Sequence, residues 1–107
     1  MIRYKFGDIL LLGFPQTDMK GTTKRPAIVL RDDGDLDVMV ARITSQEYLS
    51  PSDHKIRNWK EAGLLNESYV RLGKIATLEK GLVLRKLGNL SAQDINSLKD
   101  ILKGMFS

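Results

Sequence analysis

Three short runs rich in isoleucine, leucine and valine dominate the first 44 residues and constrain the fold more than any other feature of the sequence. The runs span Phe6 to Phe14, Arg25 to Arg31 and Leu36 to Thr44, and turn-forming residues follow each of them. This pattern predicts three β-strands. The stretch Asp32 to Asp35, in which Gly34 can take a positive φ, predicts a hairpin turn, so the second and third strands should pair antiparallel.

Further strand signals follow a predicted turn. The stretch Asn58 to Ala62 favours one helical turn that ends at Gly63. Beyond it, Ser68 to Leu78 and Leu82 to Leu87 cluster apolar residues around a breaker at Gly81. Clusters of this kind predict two more strands of the same curved sheet.

The clearest helix signal begins at Ser91, which can cap a helix. Asp94 can complete a capping box, and Leu90 can pack on Ile95 as a hydrophobic staple. The helix is predicted to end near Met105, with one apolar stripe formed by Ile95, Leu98, Ile101, Leu102 and Met105. Several strands followed by one amphipathic helix predict a small α+β domain built on a partly closed antiparallel β-barrel.

The composition fits one small domain. The chain has 107 residues, is 42% hydrophobic and contains no cysteine, so residues 1–107 should close a single core without disulfides or thiolate metal sites. Near the start, the apolar run Ile9 to Leu12 is too short for a signal peptide or a membrane span, and we expect a soluble, cytoplasmic protein. The net charge of +4 favours an acidic or polyanionic partner, although a solvated basic surface is the commoner explanation.

The residue types of familiar catalytic sites are nearly absent. His54 is the one histidine and is expected at the surface, and without cysteine neither a cysteine protease nor a common zinc site is available. No glycine-rich phosphate loop occurs, and the aspartates from Asp32 to Asp37 lack the spacing of a calcium loop. The sequence therefore argues against the familiar nucleotide-, zinc- and calcium-dependent functions.

Arg25 and Thr44 are the residues most suggestive of chemistry. If the second and third strands pair through the predicted hairpin, the start of one lies beside the end of the other, and these two residues share an edge. Pro26 restricts Arg25 to an extended conformation and would hold its guanidinium next to a hydroxyl, a combination suited to a phosphodiester. An ordinary ion pair at Arg25 and a structural role for Thr44 are the alternative.

Three sequence blocks resemble the signature blocks of the PemK/MazF family of toxins from toxin–antitoxin pairs. They are GDILLLGFPQTD (Gly7 to Asp18), KRPAIVL (Lys24 to Leu30) and ARITSQ (Ala41 to Gln46). The later stretches AGLL (Ala62 to Leu65) and SYVRLGKIATL (Ser68 to Leu78) also resemble a PemK-like branch. The resemblance covers nearly the whole chain.

The resemblance implies an SH3-like barrel, a homodimer and a cognate antitoxin partner. It also implies an endoribonuclease that cuts single-stranded RNA without a metal or another cofactor, with Arg25 and Thr44 as catalytic residues. RNA would supply the nucleophile, its 2′-hydroxyl, and the products would be a 2′,3′-cyclic phosphate and a 5′-hydroxyl. Two alternatives from other classes stay open: a gyrase poison that acts through its C-terminal helix, and a catalytically silent RNA-binding relative.

Two departures from the family pattern affect the expected site. Asp18 is the one acidic residue in the loop before Arg25, so it is the candidate for proton transfer. Arg42 stands where many relatives have a small residue or proline, and it is expected either to contact RNA or to face solvent. The expected RNA-binding residues are Lys20, Lys24, Arg42, Ser45 and Gln46.

Overall fold

The structure is a computed structural model that describes residues 2–15 and 21–107. The strands are β1 (Asp8–Pro15), β2 (Thr22–Arg31), β3 (Asp37–Thr44), β4 (Asp53–Lys55), β5 (Tyr69–Glu79) and β6 (Val83–Asn89), and the helix is α1 (Ala92–Met105). A short 3₁₀ turn, Lys80–Leu82, links β5 to β6. The strands form one antiparallel sheet in the order β4-β5-β3-β2-β1-β6, so the predicted α+β class is confirmed.

Two hydrophobic clusters lie on opposite faces of this sheet. Successive residues such as Ile9 and Leu10 belong to different clusters, as the alternation of side chains along a strand requires. The first cluster is covered by α1 and the segment 56–64. Among the described residues, none from α1 belongs to the second cluster, yet Leu10 and Leu12 are almost completely buried there. The sheet therefore curls over this second cluster as a partly closed barrel does, and bulges within the β1–β6, β2–β3 and β3–β5 ladders bend it.

The predicted hairpin between the second and third strands is confirmed, with Ile28 of β2 opposite Ala41 of β3. The carboxylate of Asp32 holds the turn, since it accepts hydrogen bonds from the Tyr4 and Gly34 N–H groups and an ion pair from Lys80. Burial alone would raise the pKa of Asp32, but these partners outweigh it and lower the pKa to about 2. Asp32 thus connects the β2–β3 turn to Tyr4, which precedes β1, and to Lys80 in the 3₁₀ turn between β5 and β6.

The sequence missed β4, which has only three residues and pairs with β5. The predicted helical turn at Asn58 to Ala62 is a series of hydrogen-bonded turns, in which the Ala62 N–H donates to the Asn58 carbonyl at 3.0 Å. Gly63 takes a φ of +92°, as expected of the residue that ends it.

Helix α1 begins as predicted, because Ser91 Oγ accepts a hydrogen bond from the Asp94 N–H at 3.2 Å. The Asp94 carboxylate accepts a bond from the Ser91 hydroxyl at 3.2 Å, and it also accepts bonds from His54 Nε2 at 2.8 Å and from the backbone N–H and guanidinium of Arg57. The expectation that His54 lies at the surface is wrong: only 10% of its side chain is exposed, because Asp94 provides a buried partner for it. Of the predicted apolar stripe, Met105 lies largely outside the core, whereas Leu98 is fully buried.

The Asp94 network should make folding stability sensitive to acid. Burial alone would raise the pKa of Asp94, but the bonds from His54 and Arg57 lower it overall. A lowered folded-state pKa contributes stability above the unfolded value of about 3.9, and that contribution is lost as the pH falls below it. Asp94→Asn should therefore reduce the free energy of unfolding at pH 7 by about 2 kcal/mol or more.

Denaturant melts of both proteins between pH 7 and pH 2 check this expectation. The difference in the free energy of unfolding should shrink as the pH falls, because the wild-type protein loses the stabilisation from the ionised Asp94 carboxylate, which the variant never has. Asp100→Asn, an exposed change on the same helix, is the matched control and should have little effect. A difference that stays constant down to pH 2 would show that the charge of Asp94 does not matter.

Two glycines let the segment that precedes β5 lie directly against β6. A Cβ at Gly63 would overlap the Leu87 carbonyl, and a Cβ at Gly88 would overlap the Ala62 carbonyl. Gly63 also needs its positive φ, which other residues adopt with strain. The two backbones are therefore fixed relative to each other at van der Waals distance.

Gly63→Ala should lower the free energy of unfolding by about 2 kcal/mol, because it adds both backbone strain and overlap. Gly104→Ala is the matched control: nothing lies within 4 Å of its Cβ position, and alanine inside a helix should be neutral or stabilising. Thermal unfolding of the two variants tests the contact. Equal midpoints would mean that the backbones at Gly63 and Leu87 can move apart at little cost.

Candidate active site

A cavity of about 560 Å³ opens where β2 and β3 separate, and we call it the groove. The β2–β3 ladder ends at the pair Ala27 and Arg42. Arg25 and Thr44 lie two residues further along their strands, and each stays paired with its outer neighbour, Arg25 with Leu12 and Thr44 with Tyr69. The two strands thus part at this end while both remain anchored in the sheet.

Residues from four strands and one connecting segment line the groove. The lining consists of Leu11 from β1; Lys24, Arg25 and Pro26 from β2; Arg42, Ile43, Thr44 and Ser45 from β3 and its end; Gly63, Leu64, Leu65, Asn66 and Ser68 before β5; and Arg85 and Leu87 from β6. Leu11 pairs with Pro26 on one side and with Arg85 on the other, which places β6 beside the start of β2. The three N-terminal strands and the distant β6 therefore meet at one site.

The Thr44 hydroxyl is held by its own chain. Thr44 Oγ1 accepts a hydrogen bond from the Gln46 N–H at 3.1 Å, while the side chain is half-buried. An acceptor bond of this kind leaves the hydroxyl proton available for donation into the groove. The Gln46 side chain does not line the groove, and its Oε1 accepts from the Tyr48 hydroxyl instead.

The described lining of the groove is strongly cationic. Four of its side chains are positively charged, namely Lys24, Arg25, Arg42 and Arg85, and none of its described residues is a carboxylate. Within residues 2–15 and 21–107, none of the four forms an ion pair, whereas Arg31 at the other end of β2 is paired with Asp33 at 2.7 Å. Positive side chains that lack ion pairs and share a concave surface attract and concentrate anions.

The family of the chain follows from comparison with known proteins. Residues 5–106 match a family described as PemK-like, MazF-like toxins of type II toxin–antitoxin systems. The chain belongs to this family. No curated protein sequence gives a significant match.

Solved structures of similar fold include other members of this toxin class. An endoribonuclease in complex with its cognate antitoxin from a mycobacterial species has a TM-score of 0.77 and 17% identity, covering 96% of this chain and 94% of its own. The Mycobacterium tuberculosis toxin MazF-mt6 has a TM-score of 0.75 and 21% identity, covering 92% and 95%. A MazE–MazF structure from Deinococcus radiodurans has a TM-score of 0.78 and 16% identity, covering 99% and 97%. At these identities the likeness shows the shared fold.

The groove of this PemK/MazF-family chain brings together five of the site residues expected from the sequence: Lys24, Arg25, Arg42, Thr44 and Ser45. Gln46 contributes its backbone to Thr44 and is not part of the lining. Asp18 and Lys20 lie outside the described residues. The roles of all these residues stay predictions.

Sequence reasoning did not predict that Arg85, Leu65 and Asn66 line the groove. Nothing local distinguishes Arg85 from other basic residues, because its place depends on the pairing of β6 with β1. The described residues contain no cluster of three or more His, Asp or Glu side chains that could bind a metal ion. Within the same part of the chain, no helix has both the length and the hydropathy needed to cross a membrane.

Proposed function

We propose that this protein is an endoribonuclease that cleaves single-stranded RNA by attack of a 2′-hydroxyl on the adjacent phosphorus. The products are a 2′,3′-cyclic phosphate and a 5′-hydroxyl, and cleavage of mRNA arrests translation and growth. One observation carries the proposal: an arginine without an ion pair among the described residues and a threonine hydroxyl share the mouth of a cationic groove. RNA brings both the nucleophile and the negative charge that such a groove attracts.

Arg25 acts as the electrostatic catalyst. A guanidinium cannot lose its proton in a protein, so this side chain serves as a fixed charge that stabilises the phosphoryl oxygens as the pentavalent transition state forms. Pairing with Leu12 and the adjacent Pro26 fix the backbone of Arg25, which limits the reorganisation that the reaction requires.

Thr44 aligns the attack through its hydroxyl. Its oxygen already accepts the Gln46 N–H, so its proton is directed to a phosphate oxygen of the substrate. Proton transfer from the 2′-hydroxyl needs another group, since the described lining contains neither a carboxylate nor a histidine. Asp18 is our candidate for this role.

Asp18→Asn should therefore lower the rate of RNA cleavage without weakening RNA binding.

An acidic segment of a cognate antitoxin is the proposed inhibitor. One solved structure of the same fold is an endoribonuclease in complex with its cognate antitoxin. Here the cations of the groove, with Lys20 near them in sequence, provide a surface that an acidic, initially disordered segment would occupy as it folds. Such a segment blocks RNA by competing for the same charges.

The cleavage chemistry gives a direct test. Cleavage should persist in EDTA, and Arg25→Ala should reduce the rate by about a hundredfold or more, since removal of one charge-stabilising donor costs about 3 to 4 kcal/mol in comparable sites. Arg25→Lys should rescue the rate only partly, because lysine keeps the charge and loses the planar fork. Thr44→Ala should slow cleavage with little change in RNA affinity.

The control variant is Arg31→Ala, which removes an exposed arginine of the same strand outside the groove and should leave the rate unchanged. An oligonucleotide with one 2′-deoxy sugar 5′ to the scissile phosphate tests the nucleophile. Cutting of this oligonucleotide at the normal rate would disprove 2′-hydroxyl attack. Growth arrest that survives Arg25→Ala and is lost on changes at Lys103 to Ser107 would favour the gyrase-poison alternative.

A homodimer is the proposed working state, as the family resemblance implies and as the large surface of a small domain favours. Light scattering at micromolar concentration should report a mass of twice the 12.1 kDa chain. A measured mass of one chain at all micromolar concentrations would contradict this expectation.

A further inference from the structure

One part of the groove lining carries no charge. The connection before β5 contributes Gly63, Leu64, Leu65, Asn66 and Ser68, which we call the neutral segment. All four cations of the described lining come from β2, β3 and β6. The groove therefore combines a cationic part with an uncharged part, and phosphate binding alone accounts only for the first.

Leu65 presents an apolar side chain at the groove. It is 90% exposed, although its neighbour Leu64 is buried in the core. A single exposed leucine on an open surface would need no explanation. Leu65, however, shares a concave lining with the apolar side chains of Leu11, Pro26 and Leu87. Unpaired bases of single-stranded RNA offer flat apolar faces that pack on such surfaces.

Asn66 supplies hydrogen-bonding groups next to Leu65. Its backbone carbonyl accepts a bond from Ser68 Oγ at 2.8 Å, which fixes the main chain. Its side-chain amide is exposed and makes no hydrogen bond to any described residue. An amide offers one acceptor and two donors, the groups that recognise the polar edge of a nucleobase.

The neutral segment is built to stay in place. Its Ser68 end is held by the bond from the Ile56 N–H to the Ser68 carbonyl at 2.9 Å, and near its other end the Leu64 N–H donates to the Trp59 carbonyl at 3.0 Å. The contact of Gly63 with the Leu87 carbonyl sets the segment against β6. A preordered wall can discriminate between ligands because little binding energy is lost in ordering it.

We propose that Leu65 and Asn66 form a base-selecting subsite, an inference that rests on the proposed ribonuclease function. One base next to the scissile phosphate packs on Leu65 and hydrogen-bonds to the Asn66 amide. The cations of the groove, including Arg85, hold the flanking phosphates and carry no sequence information. Sequence selection and charge attraction are thus assigned to different parts of one groove.

Sequencing of the 5′ ends produced from a random RNA pool measures the base preference at each position around the cut. Asn66→Ala should reduce the preference at one position by about tenfold and leave the other positions unchanged. Asn66→Asp removes the donors of the amide and should shift that same position toward guanine, whose Watson–Crick edge presents adjacent donors. Leu65→Ala should weaken the preference at the same position.

Matched controls are Asn96→Ala on the exposed side of α1 and Leu36→Ala at the β2–β3 turn, both outside the groove, which should keep the wild-type preference. Arg85→Gln should instead lower the affinity for all sequences alike and reduce its salt dependence. An unchanged preference in both Asn66→Ala and Leu65→Ala would overturn the proposal.

Binding without cleavage separates this inference from the proposed reaction. A random pool of fully 2′-O-methylated RNA cannot undergo 2′-hydroxyl attack, and sequencing of the bound fraction reports base preference by itself. A preference in this fraction that Asn66→Ala removes supports the subsite, even if the protein cleaves no RNA. A bound fraction without any base preference, or one that Asn66→Ala leaves unaltered, rejects it.

Discussion

The double pairing of β1 is the constraint on which the site depends. This strand pairs with β2 along one edge and with β6 along the other, so Leu11 lies between Pro26 and Arg85. Its alternate side chains Leu10 and Leu12 are buried inside the curl of the sheet, which fixes the register, since a slip of one residue would turn them onto the opposite face, which α1 covers. The groove exists because these ladders hold while the β2–β3 ladder ends early.

The distribution of charge separates the scaffold from the groove. The buried carboxylates Asp32, Asp94 and Asp8 are matched, Asp32 with Lys80, Asp94 with His54 and Asp8 with Lys86. The groove gathers four cations whose mutual repulsion receives no compensation from described carboxylates. Such an arrangement destabilises the folded state slightly, and a polyanionic ligand would reverse that cost on binding. The paired charges of the scaffold thus stabilise the fold, whereas the cations of the groove attract the ligand.

The sequence predicted the parts of the fold that local rules govern. Alternation and turn residues placed the first three strands, and the cap at Ser91 placed the helix. It did not predict β4 or the burial of His54, because three residues carry too little periodicity and the partner of His54, Asp94, is 40 residues away. In the site, the predicted hairpin was enough to place Arg25 beside Thr44. Arg85 lines the groove because β6 pairs with β1, and no local sequence pattern predicts that pairing.

Acid should affect the scaffold before it affects the cations of the groove, because the ion pairs of the scaffold depend on carboxylates. Burial alone would raise the pKa of Asp32, but Lys80 and the N–H groups of Tyr4 and Gly34 lower it to about 2. Its stabilising contribution is therefore present above the unfolded value of about 3.9 and is lost as the pH falls toward 2. Guanidinium groups stay charged over this whole range, so the attraction that the groove exerts on a polyanion does not weaken through its arginines. As the pH approaches 2, acid weakens the clamp that joins the β2–β3 turn to Tyr4 and Lys80, while the arginines of the groove keep their charge.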